Sequence, residues 1–180
     1  FSFVSPSAAP PTAPVNSDVS DMAKAADAFY AAYQKLPAAG GIPDAKARKK
    51  ISPFMSPALE KLLTDAAAAE ALYAKRTKNQ VPPLVEGDPF TSNFEGATGF
   101  KVGDCAGDAK RGHCAIALTY KEKKSKPVTW TDTAELVSTG GNWSLGDITY
   151  GATWDFGNKG KLTDLLKDTI LEAQKPVDAD

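Results

Sequence analysis

The side chains with most chemical potential in this chain are carboxylates set among aromatics and turns. Two of them, Glu86 and Asp88, lie in the irregular stretch from Leu84 to Gly96. Two more, Asp147 and Asp155, lie between Trp143 and Gly160, beside Tyr150 and Trp154. A carboxylate in an apolar cavity has a raised pKa and can act as a base, with a tyrosine stabilising developing negative charge. Such a pairing suits isomerase or dehydratase chemistry. Asp147 and Tyr150 are the pair that such a cavity would use. The competing reading is structural: short acidic side chains accept backbone hydrogen bonds at turns and strand ends. No spacing among these residues is specific for a reaction, so no catalytic residue is assigned.

Other chemistries have less support. His113 is the single histidine and falls in a turn-prone segment, so any Ser-His-Asp or Cys-His arrangement would have to use it. No phosphate-binding glycine loop is present, since Gly157-Asn-Lys-Gly160 lacks that pattern. The formal net charge is -1, and no basic stripe is interleaved with aromatics, which argues against nucleic acid. No apolar run approaches the ~20 residues of a membrane span. No cofactor is expected.

Cys105 and Cys114 are the only cysteines, separated by Ala-Gly-Asp-Ala-Lys-Arg-Gly-His. Two strands joined there would bring them opposite each other, and in an oxidising compartment they would pair. Two reduced thiols, or half of a metal site with His113 as a third ligand, are the alternatives; a zinc site needs about four ligands. The chain starts with Phe1, so a removed export signal or a trimmed terminus is expected. Together these favour a periplasmic or otherwise exported protein.

The elements that must position these residues follow from periodicity. Residues 1–17, rich in Pro, Ala and Ser, read as a linker, and 177–180 as a tail, leaving a single domain over 18–176. Val19, Met22, Ala23, Ala26, Phe29, Tyr30, Tyr33 and Leu36 recur at helical spacing and predict a helix over Asp18–Leu36. Asp44–Ile51 reads as one or two basic helical turns. Ser56 followed by Pro57 opens a further helix with Leu59, Leu62, Leu63, Ala66, Ala69 and Tyr73 on its apolar side. After Pro82 and Pro83 the period changes to two. Strands are expected at Gly99–Gly103, Cys114–Tyr120, Val128–Val137 and Trp143–Tyr150, then a short extended piece near Trp154 and a closing helix from Leu162 to Ala173. Helices followed by antiparallel strands define an α+β class: N-terminal helices on a curved antiparallel sheet, closed by a C-terminal helix.

That order resembles the nuclear transport factor 2-like, or cystatin-like, cone fold, and Trp143-x-Leu145-x-Asp147-Ile148-x-Tyr150 is similar to its final-strand pattern. Three pieces resemble an uncharacterised bacterial exported domain family: Pro83-Leu-Val-Glu-Gly-Asp-Pro-Phe-Thr-Ser92, Trp130-x-Asp132 and Trp154-Asp-Phe-Gly-Asn-Lys-Gly-x-Leu162. The resemblance spans about residues 20–172. It implies an exported protein and, by analogy with small envelope families, an immunity protein that blocks a toxin aimed at the cell wall.

The expectation is therefore a non-enzymatic exported binding protein, in its sharpest form an immunity-type inhibitor of a secreted toxin. Its protein-binding surface would comprise Glu86, Asp88, Phe90, Phe94 and Glu95 with Trp154, Asp155, Phe156 and Asn158. Aromatics at the centre of a patch anchor interfaces, and acidic loops speed association with a basic partner. A small-molecule binder or enzyme of the cone-fold type is the alternative, and a structural envelope module or homodimer is a third.

Overall fold

The period-two region forms four antiparallel strands paired in sequence order: β1 (Gly99–Gly107), β2 (Arg111–Tyr120), β3 (Val128–Thr139) and β4 (Asn142–Thr149). The computed structural model describes residues 16–38 and 40–176. Of the expected linker, residues 1–15 lie outside the described residues, as does the 177–180 tail. Residues 16 and 17, also assigned to the linker, begin the first helix, α1 (Asn16–Gln34).

Alternation gives the sheet one buried face. Cys114, Ile116 and Leu118 of β2, Trp130, Ala134 and Leu136 of β3, and Leu145 and Ile148 of β4 point into a common core. Helix α1 crosses this face and contributes Met22, Ala26, Phe29, Tyr30 and Tyr33, all buried. The short α2 (Ala45–Ile51) is capped by Asp44, whose carboxylate accepts from the Ala47 amide at 2.8 Å. Ser56 caps α3 (Pro57–Arg76) as its position before Pro57 predicts, accepting from the Leu59 amide at 3.2 Å. Helix α3 packs against α4 (Leu162–Gln174), burying Leu59, Leu63 and Ala66 with Leu162 and Leu166. This is the α+β architecture expected, with the closing helix following the sheet.

Two local readings are corrected. His113 lies within β2, not in a turn: Asp108 accepts from the Lys110 and Arg111 amides at 2.8 and 2.9 Å, which tightens the reversal and lets the flanking residues pair. The segment after Trp154 is a turn rather than an extended piece, with the Gly157 amide donating to the Trp154 carbonyl at 3.3 Å.

The same tight hairpin sets Cys105 directly opposite Cys114, with Cα atoms 4.1 Å apart, and they form a disulfide. The short loop it closes limits its stabilisation to about 2.5 kcal/mol on the chain-entropy model. Replacing both cysteines with serine is expected to lower unfolding stability by about that amount in urea titration. Dithiothreitol should reproduce the loss in the wild type but not in the variant.

Candidate functional site

Residues 77–98, between α3 and β1, contain no regular secondary structure, yet they are closely held. A loop this long inside a compact domain is commonly functional. Val85 and Phe90 are its apolar anchors; both are buried, and the Phe90 ring packs edge-on against Phe29 and Tyr33, with centroids 5.8 and 5.9 Å apart. The Val85 amide donates to Glu70 Oε1 at 2.7 Å, and the Gly41 amide donates to the Gly87 carbonyl at 2.9 Å.

The strongest tie is Asp132, whose inward position on β3, two residues from both Trp130 and Ala134, leaves it fully buried. Its Oδ2 accepts from the Ser92 amide at 2.9 Å and from Trp130 Nε1 at 3.2 Å. Its Oδ1 accepts from Ser92 Oγ at 2.5 Å and from the Gly151 amide at 2.9 Å. Ser92 Oγ in turn accepts from the Ala152 amide at 3.2 Å. The buried carboxyl is thus satisfied by donors from the long loop, its own strand and the segment leaving β4, as burial of such a group requires.

A second tie joins the same loop to the turn after Trp154. Asn158 Nδ2 donates to the Asp88 carbonyl at 2.9 Å and the Thr91 carbonyl at 2.8 Å, while its amide donates to the Ser92 carbonyl at 3.0 Å. Trp154 packs edge-on against Trp130 at 5.7 Å, and the Tyr150 hydroxyl donates to the Pro89 carbonyl. Loops 84–96 and 154–158 therefore form one continuous surface.

Beside that surface, between the C-terminal end of α1, residues 36–47 and loop 86–98, is a groove of about 700 Å³. At its floor the Tyr33 hydroxyl donates to Asp88 Oδ2 at 2.6 Å and accepts from the Ala97 amide at 3.2 Å. Asp88 Oδ1 accepts from the Phe90 amide at 2.8 Å. Gly96 has φ of 89°, and a Cβ there would come within 2.7 Å of Asp88 Oδ2, so glycine is required on both counts. Burial pushes the Asp88 carboxyl up to about 6, against the opposing effect of the Tyr33 and Phe90 donors. Burial, reinforced by the neighbouring Asp88, pushes the Tyr33 hydroxyl well above its ordinary range.

The candidate residues divide into those that face solvent and those that hold the surface in place. Glu86, Phe94, Glu95, Asp155 and Phe156 are exposed, Phe156 at 89% and Phe94 at 53%. Phe90 is part of the core, while Trp154 and Asn158 are half-buried and engaged with other parts of the fold. Asp147 and Tyr150 do not share a cavity. Asp147 is on the outer sheet face opposite Glu135, and its oxygens accept from the Thr163 amide at 3.0 Å and the Thr163 hydroxyl at 2.7 Å, capping α4. Tyr150, three residues on, faces the buried side, as the period of two requires. The structural role for Asp147 is thus the one observed. Asp132 and Tyr33 are the important residues that sequence reasoning did not single out as site residues. The signal for Asp132 was available: an acid at an inward position of an otherwise apolar strand face.

Among the described residues, no group of three or more His, Cys, Asp or Glu is placed to hold a metal ion, and no helix is long and apolar enough to cross a membrane. No family model, curated protein or solved structure matches this chain.

Two outcomes are expected from these contacts. Asp132→Ala leaves the Ser92 and Gly151 amides and the Trp130 indole without their acceptor, and should cost about 3 kcal/mol or more in urea unfolding. Asp88 holds a proton more tightly folded than unfolded, so its contribution to stability is fully present below about pH 4 and is lost as pH rises through about 6. Chemical denaturation across that window should show a fall of the order of 3 kcal/mol at most, absent from Asp88→Asn.

Proposed function

We propose that this chain is a non-enzymatic exported binding protein that recognises another protein through the joined loops 84–96 and 154–158. The carrying observation is that Asn158 stitches the two loops together, so that exposed Phe94 and Phe156 stand on one pinned surface with Glu86, Glu95 and Asp155. Exposed aromatics on a rigid support are effective interface anchors, because little conformational freedom is lost on binding. The carboxylates favour a basic partner. In its sharpest form the reading is an immunity-type inhibitor of a secreted cell-wall-targeting toxin. The Cys105–Cys114 disulfide is compatible with an exported location, which is part of the proposal.

A second reading, a small-molecule binder or isomerase-like protein, draws on one observation: the Asp88–Tyr33 pair at the floor of the groove, with its raised carboxyl pKa. Asp147 and Asp155, which also prompted that reading, lie elsewhere, one capping α4 and the other exposed.

The test is capture with the purified oxidised protein from envelope extract and from the products of adjacent genes. The expected result is a single tight partner that is toxic alone and neutralised on binding. Phe156→Ser and Glu86→Ala should each weaken that complex about tenfold, roughly 1.4 kcal/mol, with folding unchanged. Unchanged affinity in both variants would remove this surface from consideration.

A further inference from the structure

The 700 Å³ groove has a segregated lining. Every charged residue lining it is acidic: Asp44, Glu86, Asp88 and Glu95. The chain as a whole carries 21 basic and 22 acidic residues, so this is a local separation of charge and not a consequence of composition. Lys46 and Arg48 of α2 are close in sequence but do not line the groove. Its walls are apolar, with Leu36 on one side and the half-exposed Phe94 ring on the other.

We propose that this groove receives a basic segment of the partner protein, a Lys or Arg side chain flanked by apolar residues; the inference rests on the protein-binding reading above and names its partner's chemistry. An inserted Lys or Arg would lay its methylene stem along Leu36 and place its charge near the Phe94 face and the Glu86 and Glu95 carboxylates. Glu86 and Glu95 are exposed at the rim and can meet such a cation, whereas Asp44 caps α2 and Asp88 is held at the floor by Tyr33 and the Phe90 amide. The groove is preformed, because Asp132 and Asn158 fix the loop that makes one wall, which reduces the ordering cost of binding.

The probe is a fluorescein-labelled peptide of alternating Lys and Leu residues, with a matched Glu–Leu peptide as control, followed by anisotropy with the full oxidised chain at about 0.15 M salt. Saturable binding of the Lys–Leu peptide alone is expected. Glu86→Lys combined with Glu95→Lys should weaken it at least tenfold, and Asp168→Lys, at an exposed position of α4 away from the groove, should leave it unchanged. Amide shifts in an NMR titration should concentrate in residues 36–47 and 86–98. Absent or non-saturable binding, equal loss in Asp168→Lys, or retention in the double variant would overturn the proposal. A captured toxin whose affinity depends on Phe156 but not on Glu86 and Glu95 would retain the binding reading and overturn the groove. Failure to capture any partner, with the peptide still bound, would do the reverse.

Discussion

Four donors from three stretches of chain converge on the two oxygens of Asp132, and the remaining structure around the candidate site depends on that convergence. A buried carboxyl with no satisfied contacts would cost several kcal/mol, so the fold tolerates Asp132 only while Ser92, Trp130 and Gly151 hold their places. The dependence is mutual. The long loop buries the apolar side chains of Val85, Pro89 and Phe90, and polar ties at Ser92, Tyr150 and Asn158 fix the rest of its path. Stability of the loop and satisfaction of the acid are therefore one cooperative event.

That cooperativity also fixes what the loop presents to solvent. Residues that would otherwise be flexible, including Glu86, Phe94 and Glu95, are presented on backbone fixed from below. Surfaces of this kind bind with little loss of freedom, and side chains at their rim change affinity without changing the fold. The core carries a contrasting feature in the Tyr30 hydroxyl, which is buried and finds no hydrogen-bond partner among the described residues. Its ring packs with Phe29 and Phe100, contacts that offset part of the cost of the unsatisfied oxygen.

Three separated pieces of sequence, residues 83–92, 130–132 and 154–162, meet in space. Ser92 belongs to the first, Trp130 and Asp132 to the second, and Trp154 and Asn158 to the third, and all are joined by the contacts around Asp132. Together these pieces act as a folding constraint. Asp132 and Asn158 are occupied in holding chain segments together, while neighbouring Phe94, Glu95 and Phe156 are exposed.

The sequence by itself determined the class of the fold, the order of helices and strands, the Ser56 cap and the apolar face of α1, because each follows from spacing and local hydrogen bonding. It also brought out the two loops and most of their exposed side chains, because aromatics and acids in turn-rich segments are conspicuous. The tertiary structure alone decided which of those side chains remain available. Phe90 and Phe94 stand four residues apart in the same loop, yet one is sealed in the core and the other faces solvent. Asp88 and Asp147 are both acids beside aromatics, but one meets Tyr33 at the floor of a groove and the other caps a helix. Those outcomes depend on contacts between residues tens of positions apart, such as Ser92 with Asp132 and Asn158 with Asp88, and no local pattern encodes such distances.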